Sequence, residues 1–394
     1  MALIFFSALW VVQPVHAQDE LPSTLNPDAQ TNYTFGQRMS FALQVTNAPQ
    51  LVAGTLFVST PQFQNTYSAS FEIQAAEGDR VLLNHDIDLT TVRFQPFTEV
   101  TYWWTLKTAD DNLLQLPAQL FEYQDDRFNW KTTEKAGVEV YWIADGLDLG
   151  QVALDIVLES LPRIQSIIQA DLPDPLRIYL YPSANDMRAA LLLSGQDWVG
   201  GHASPELGVI LLPAENPRTA VVDLRRRLPH EMSHLLIYEA TGASYEQVPR
   251  WFDEGLATLF ESVPNPNYEP ALQQALDQGS LLTFEEMCLR FPDASTTQVY
   301  LAYAQSGSLI KFVQAKYGNE ALRQMILAYA DGANCETAVN RSLNISLQEL
   351  NDDWLDDLQP SSSSRIFNQN LIWIIVLFGG FGITLLLAFI PSRR

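Results

Sequence analysis

The chain has 394 residues and a formal net charge of −23, with 47% hydrophobic and 18% charged residues. So acidic a balance argues against nucleic acid or anionic lipid as a direct partner, and the apolar content argues against a disordered chain. The length allows two ordinary domains plus targeting segments.

In chain order, residues 1–17 have the layout of a signal peptide: an apolar run from Met1 to Val12, then Val15-His16-Ala17 as a cleavage-like site. Residues 18–35 are polar and rich in turn formers, as in Asn26-Pro-Asp, and are expected to form a mobile lead-in. From 36 to 133 the hydrophobic period is two, for example at Phe41, Leu43 and Val45, with turn formers between the runs. This predicts an all-β sandwich of immunoglobulin or fibronectin type III kind, with Trp103, Trp104, Tyr123 and Trp130 supplying its core. His85 falls in this region and is taken as incidental.

From 137 to 358 the pattern changes to a few strands and then helices, so the fold class is α+β. Val138–Trp142, Leu176–Tyr181 and Glu206–Pro213 are the expected strands, and Leu149–Ala170 has helical spacing interrupted by Pro162. Residues 359–370 resemble a linker. Residues 371–390 form an uncharged run long enough for a transmembrane helix, followed by Arg393 and Arg394 in the tail 391–394. The expectation is a single-pass cell-membrane protein with its body extracytoplasmic and its C-terminus cytoplasmic. In that compartment Cys288 and Cys335 are expected to form a disulfide.

The chemistry is concentrated in His230-Glu231-Met232-Ser233-His234, a His-Glu-x-x-His run. On a helix, positions i and i+4 share a face, so both imidazoles reach one metal. Glu231 is placed to act as general base on a water at that metal. Zinc suits two imidazoles and needs a further protein ligand. Glu254, in Trp251-Phe-Asp-Glu-Gly-Leu-Ala, lies on a second predicted helix that can fold back against the first. Pro229 stands immediately before His230 and predicts either a kink there or a helix that starts there.

The two motifs together resemble the gluzincin metallopeptidases, the thermolysin and aminopeptidase N group, and most nearly the bacterial peptidase MA-like domains. The resemblance covers about residues 137–358. It implies that His230, His234 and Glu254 bind Zn2+ and that Glu231 is the base. It also implies an edge strand beside the zinc helix, for which Gly200–Ala203 leading into Val209–Leu212 is the candidate, with His202 near substrate or structural. Many gluzincins steady the oxyanion with a Tyr or His. Tyr303 is the candidate here, with Tyr300 as the alternate, and Asp253 and Thr258 are candidates to support the ligands. The Gly-Ala-Met-Glu-Asn run by which aminopeptidases hold a substrate amino group is missing, which favours an endopeptidase acting on peptide or protein. The competing expectation is a catalytically silent peptidase fold that serves as an anchored binding module through its β-sandwich.

Overall fold

The computed structural model describes residues 25–358, apart from 48–49, 62–65, 74–79, 144–146, 194–200, 217 and 293–297. The chain divides into two compact units, one of residues up to Lys131 together with Ser183–Trp198, the other of Thr132–Pro182 and the chain from Val199 onward.

The first unit is built from two antiparallel sheets. β1 (Asn26–Thr34), β2 (Arg38–Thr46) and β5 (Arg80–Asp88) form one, in the order β1-β2-β5. β3 (Leu51–Ser59), β4 (Tyr67–Glu72), β6 (Thr98–Thr108) and β7 (Leu113–Gln115) form the other, in the order β4-β3-β6-β7, and β8 (Gln119–Tyr123) also pairs with β6. Alternation buries one face of the central strands: Met39, Phe41, Leu43 and Val45 on β2 face Val100, Tyr102, Trp104 and Leu106 on β6. Phe41 and Tyr102 meet edge to face across the two sheets at 5.0 Å. β4 pairs with β3, so the first sheet lacks the fourth strand of constant-type immunoglobulin order.

Sequence and structure differ at two places here. Residues 26–34, expected in the lead-in, form β1, whose side chains never become fully buried, so the residue pattern carries no apolar alternation to reveal it. Of the four expected core aromatics, Trp104 and Tyr123 are buried, Trp130 is only partly buried, and Trp103 points the other way and stacks on Phe57. Adjacent strand residues take opposite faces, so Trp103 and Trp104 cannot both point inward.

In the second unit a five-stranded sheet runs in the order β12-β13-β11-β10-β9. β9 (Lys131–Lys135) and β10 (Val138–Trp142) lead into α1 (Leu149–Gln165), which crosses over to β11 (Leu176–Tyr181), parallel to β10. The chain then forms α2 (Ala184–Leu193), which clusters with the first unit, and returns as the edge strand β12 (His202–Ser204), antiparallel to β13 (Val209–Pro213). β13 is buried throughout, as expected of a strand covered on both faces. Helices follow: α3 (Ala220–Thr241), α4 (Arg250–Phe260), α5 (Tyr268–Gln278), α6 (Phe284–Leu289), α7 (Val299–Ala330), α8 (Cys335–Leu343) and α9 (Leu347–Leu358). α7 is interrupted at Gly318, whose φ of 82° is open to glycine. Cys288 on α6 is disulfide-bonded to Cys335 at the start of α8.

The membrane part of the predicted fold is corrected. Among the described residues no helix is long and apolar enough to cross a membrane. The longest, α7, carries Lys311, Lys316, Glu320 and Arg323. The described architecture is a β-rich N-terminal region followed by a largely helical one, and the single-pass extracytoplasmic placement is withdrawn with the helix that supported it. The stretches 1–17, 359–370, 371–390 and 391–394 lie outside the described residues.

Candidate metal centre

α3 is held by a buried stripe of Leu224, Leu228, Met232, Leu235 and Leu236. It runs unbroken through Pro229. Proline has no N–H to donate to the carbonyl four residues back, here Arg225. That carbonyl accepts instead from the backbone N–H of Ser262 at 3.1 Å, just beyond α4. The proline thus leaves an acceptor on α3 at which the end of α4 is pinned, one residue from Glu261.

His230 and His234 share a face of α3, with ring centroids 5.1 Å apart. Glu254 reaches them from α4. Its Oε2 lies 3.3 Å from His230 Nε2 and 3.7 Å from His234 Nε2. One ligand atom from each of the three residues lies within 4.8 Å of the others. The remaining atoms of these side chains are held. Arg250, one turn before Glu254, donates to Glu254 Oε1 at 2.8 Å, and the Tyr303 hydroxyl donates to the same oxygen at 3.3 Å. His234 Nδ1 is 2.8 Å from Asp253 Oδ1, whose partner oxygen accepts from Tyr245 at 3.2 Å. His230 Nδ1 is 3.3 Å from Glu261 Oε1.

Tyr303 arrives because α4 and α7 approach closely. A Cβ at Gly255 would lie 2.7 Å from the Ser306 carbonyl oxygen, and one at Gly307 would meet Thr258. Glu231 is 7% exposed, and Gly201 packs so near that a Cβ there would lie 2.5 Å from Glu231 Oε1.

Burial and charge act in opposite directions here. Burial alone would lower His230, but the Glu254 and Glu261 carboxylates raise it well above the usual histidine value. His234 is likewise raised, burial being outweighed by Asp253. Burial would raise Glu254, yet the two histidines and Arg250 hold it far below the usual carboxylate range. Glu231 is raised, chiefly by burial.

The other expected residues are less central. His202, on the edge strand β12, bonds Ser204 Oγ at 3.1 Å, and burial pushes it down to about 4. The Thr258 hydroxyl has no partner, its methyl side packing on Gly307. Tyr300 is 44% exposed on α7. His85 is bonded to Tyr67 in the first unit. His16 lies outside the described residues. Sequence reasoning missed Arg250, Tyr245 and Glu261. For Arg250 the available signal was helical spacing, since it stands four residues before Glu254 on α4; Glu261 lies just beyond the end of that helix.

The donor set fits a zinc ion. Glu254 Oε2 is buried, and it has no hydrogen-bond partner although two imidazole nitrogens face it. A buried oxygen without a hydrogen bond is costly; the nearby imidazoles offset part of that cost by charge, and a metal ion would supply the missing contact. Ligand atoms around tetrahedral zinc at about 2.0–2.1 Å lie roughly 3.3 Å apart, close to the two distances seen. A carboxylate at each Nδ1 leaves Nε2 as the donor, the usual outer support of a zinc histidine.

A sequence model of the Peptidase MA superfamily matches residues 157–359. That is just over half of the chain, and the chain belongs to this superfamily. It carries a peptidase-type domain. No curated protein matches it. Among solved structures, the aminopeptidase N family protein from Idiomarina loihiensis is similar at 8% identity and a TM-score of 0.39, over 84% of this chain and 76% of that one. Wild-type OgpA from Akkermansia muciniphila is similar at 13% identity and a TM-score of 0.22, over 28% of this chain. The match covers 32% of that structure's own length.

Proposed function

We propose that this chain is a zinc-dependent endopeptidase, with His230, His234 and Glu254 as metal ligands and Glu231 as general base. The observation that carries the reading is the orphaned Oε2 of Glu254, buried and facing two imidazole nitrogens whose other nitrogens rest on carboxylates. Zinc in such a site polarises the scissile carbonyl and acidifies a water molecule. The chain's own groups do the rest. Glu231 accepts a proton as the water oxygen bonds to the carbonyl carbon. It then delivers that proton to the amide nitrogen as the carbon–nitrogen bond breaks. Its burial suits this shuttle, because a raised carboxylate holds a proton more readily than an exposed one. Gly201 lets the backbone come close to Glu231, and a larger residue there would displace it. Tyr303 stands beside the ligands, as expected of a group that steadies the oxyanion, but its one proton is already donated to Glu254. The absence of the Gly-Ala-Met-Glu-Asn run supports internal rather than terminal cleavage.

The test compares the natural protein with Glu231→Gln for zinc content and hydrolysis of an internally quenched peptide. We expect about one zinc per chain in both, and hydrolysis lower by about 10²–10⁴-fold in the variant. A natural protein that binds no zinc, or a variant that cleaves equally well, sinks the proposal.

A further inference from the structure

Glu254 is held by two donors on one oxygen, and both come from outside the expected ligand set. Arg250 donates from the preceding turn of α4 and Tyr303 from α7, both to Oε1, while Oε2 is left without a hydrogen bond. A free carboxylate can bind a metal through one oxygen or two, and can turn about its terminal torsion, which is broad. With Oε1 occupied from two directions, only Oε2 is presented to the histidines. Arg250 is itself braced, its guanidinium lying 5.5 Å from the centre of the Phe291 ring. Tyr303 is wedged between Phe291 and Tyr268, with centroids at 5.9 and 6.3 Å.

We infer that Arg250 and Tyr303 form a clamp that fixes Glu254 as a one-oxygen metal ligand, and that both are positioning residues that set metal affinity. The inference rests on the zinc-peptidase reading. It separates two roles for Tyr303, because a phenol has a single proton to donate. Donated to Glu254, that proton orients the ligand before any substrate arrives; donated to a developing oxyanion, it acts only during reaction. The observed bond is the first of these. Ligand-supporting groups of this kind typically alter metal affinity by about 10–100-fold.

The experiment measures the zinc dissociation constant of the full chain by competition with a chromogenic chelator, for the natural protein, Arg250→Ala, Arg250→Lys and Tyr303→Phe. The cobalt-loaded forms are examined by visible absorption. Arg250→Ala is expected to bind zinc about 10–100-fold more weakly and Tyr303→Phe several-fold more weakly. Arg250→Lys, which keeps one cationic donor, should recover part of the loss. Weaker cobalt bands in Arg250→Ala would mark Glu254 turning to bind through both oxygens. Thermal melts of the metal-free forms check folding, and Arg250→Lys serves if Arg250→Ala does not fold. Unchanged zinc affinity in Arg250→Ala and Tyr303→Phe overturns the clamp and leaves the peptidase reading intact. A Tyr303→Phe protein with normal affinity but much lower kcat overturns it for Tyr303 and returns that residue to the oxyanion. A natural protein without zinc overturns both proposals.

Discussion

The two units treat buried charge in opposite ways. Among the described residues of the β-rich unit, the acidic residue buried as a whole is Asp125, and Arg127 Nε and Nη2 donate to its two oxygens at 2.8 and 2.6 Å. In the helical unit Glu231, Glu254 and Glu261 are each less than 10% exposed, and Glu254 and Glu261 each keep an oxygen without a hydrogen-bond partner, that of Glu254 facing the two imidazoles at ion-pair distance. A buried ion that is paired and hydrogen-bonded needs only a structural explanation. A buried ion left with an open lone pair needs a further one, and beside two imidazoles the metal proposed above would supply it. Each fold packs an aromatic core, and what marks the helical unit is the gathering of three buried carboxylates around two histidines.

The strongest way to break this contrast is to remove a ligand. His234→Ala should abolish stoichiometric zinc binding and peptide cleavage together, read by metal analysis of the dialysed protein. Stoichiometric zinc in that variant would mean that the ion, where bound, lies elsewhere. The matching change in the scaffold is Asp125→Ala. Removing one partner of a buried pair costs about 3–5 kcal/mol. We expect the lower end, roughly 3 kcal/mol, because Arg127 keeps 31% of its side-chain surface exposed and can turn to water. Denaturant unfolding should show this loss while zinc affinity stays unchanged. A parallel fall in zinc affinity would contradict the division of roles between the units.

Acid and metal sharpen the comparison further. His230 and His234 titrate above the ordinary 6.5 in the folded, metal-free protein, so their pairing stabilises fully below that value and is lost as pH rises through the raised values. Glu254 is held below the ordinary 4.5, so its contribution is present above 4.5 and is lost as pH falls through the lowered value. The metal-free helical unit should therefore melt highest at mildly acidic pH and lower at pH of about 8. Zinc needs neutral imidazoles, so its stabilisation should grow as pH rises. At a free concentration one hundred times Kd it should reach about 2.7 kcal/mol. Calorimetry with and without zinc checks this, and a metal-free melting temperature that ignores pH would remove the ionic account of the site.

What the residues foretold depended on whether a signal was local. His230 and His234 are four apart on one helix, and that spacing alone puts them together. Glu254 was legible because an acid among Phe252, Leu256 and Ala257 is out of place unless it is answered. Arg250 shares a helical face with Glu254, but that spacing reads the same whether the charge faces water or a site, and Glu261 lies beyond the end of α4, where no helical period reaches. Tyr303 depended on the close crossing of α4 and α7 at Gly255 and Gly307, which no sequence period reports. In the β-rich unit the period of two revealed the strands with one apolar face. It failed for β1, whose two faces are both partly exposed. The expected membrane helix rested on an uncharged run and the arginines after it, at 371–394, outside the described residues, and no described helix supports it.

The smallest predicted effect concerns Pro229, the residue least at home in its element. Alanine in its place would restore an N–H to α3, and that N–H would compete with Ser262 for the Arg225 carbonyl. Helix α3 should gain, since proline is the least favourable interior residue and alanine the most favourable. The end of α4 should lose its pin, and with it the placement of Glu261 against His230 Nδ1 at 3.3 Å. The two effects oppose each other in stability but not in metal binding. Pro229→Ala should therefore leave the metal-free melting temperature equal or higher while zinc binds several-fold more weakly, with a smaller loss than Arg250→Ala gives. Equal zinc affinity would show that Glu261 is placed without help from the proline. A large fall in stability would show that the Ser262 bond matters more to the fold than to the site.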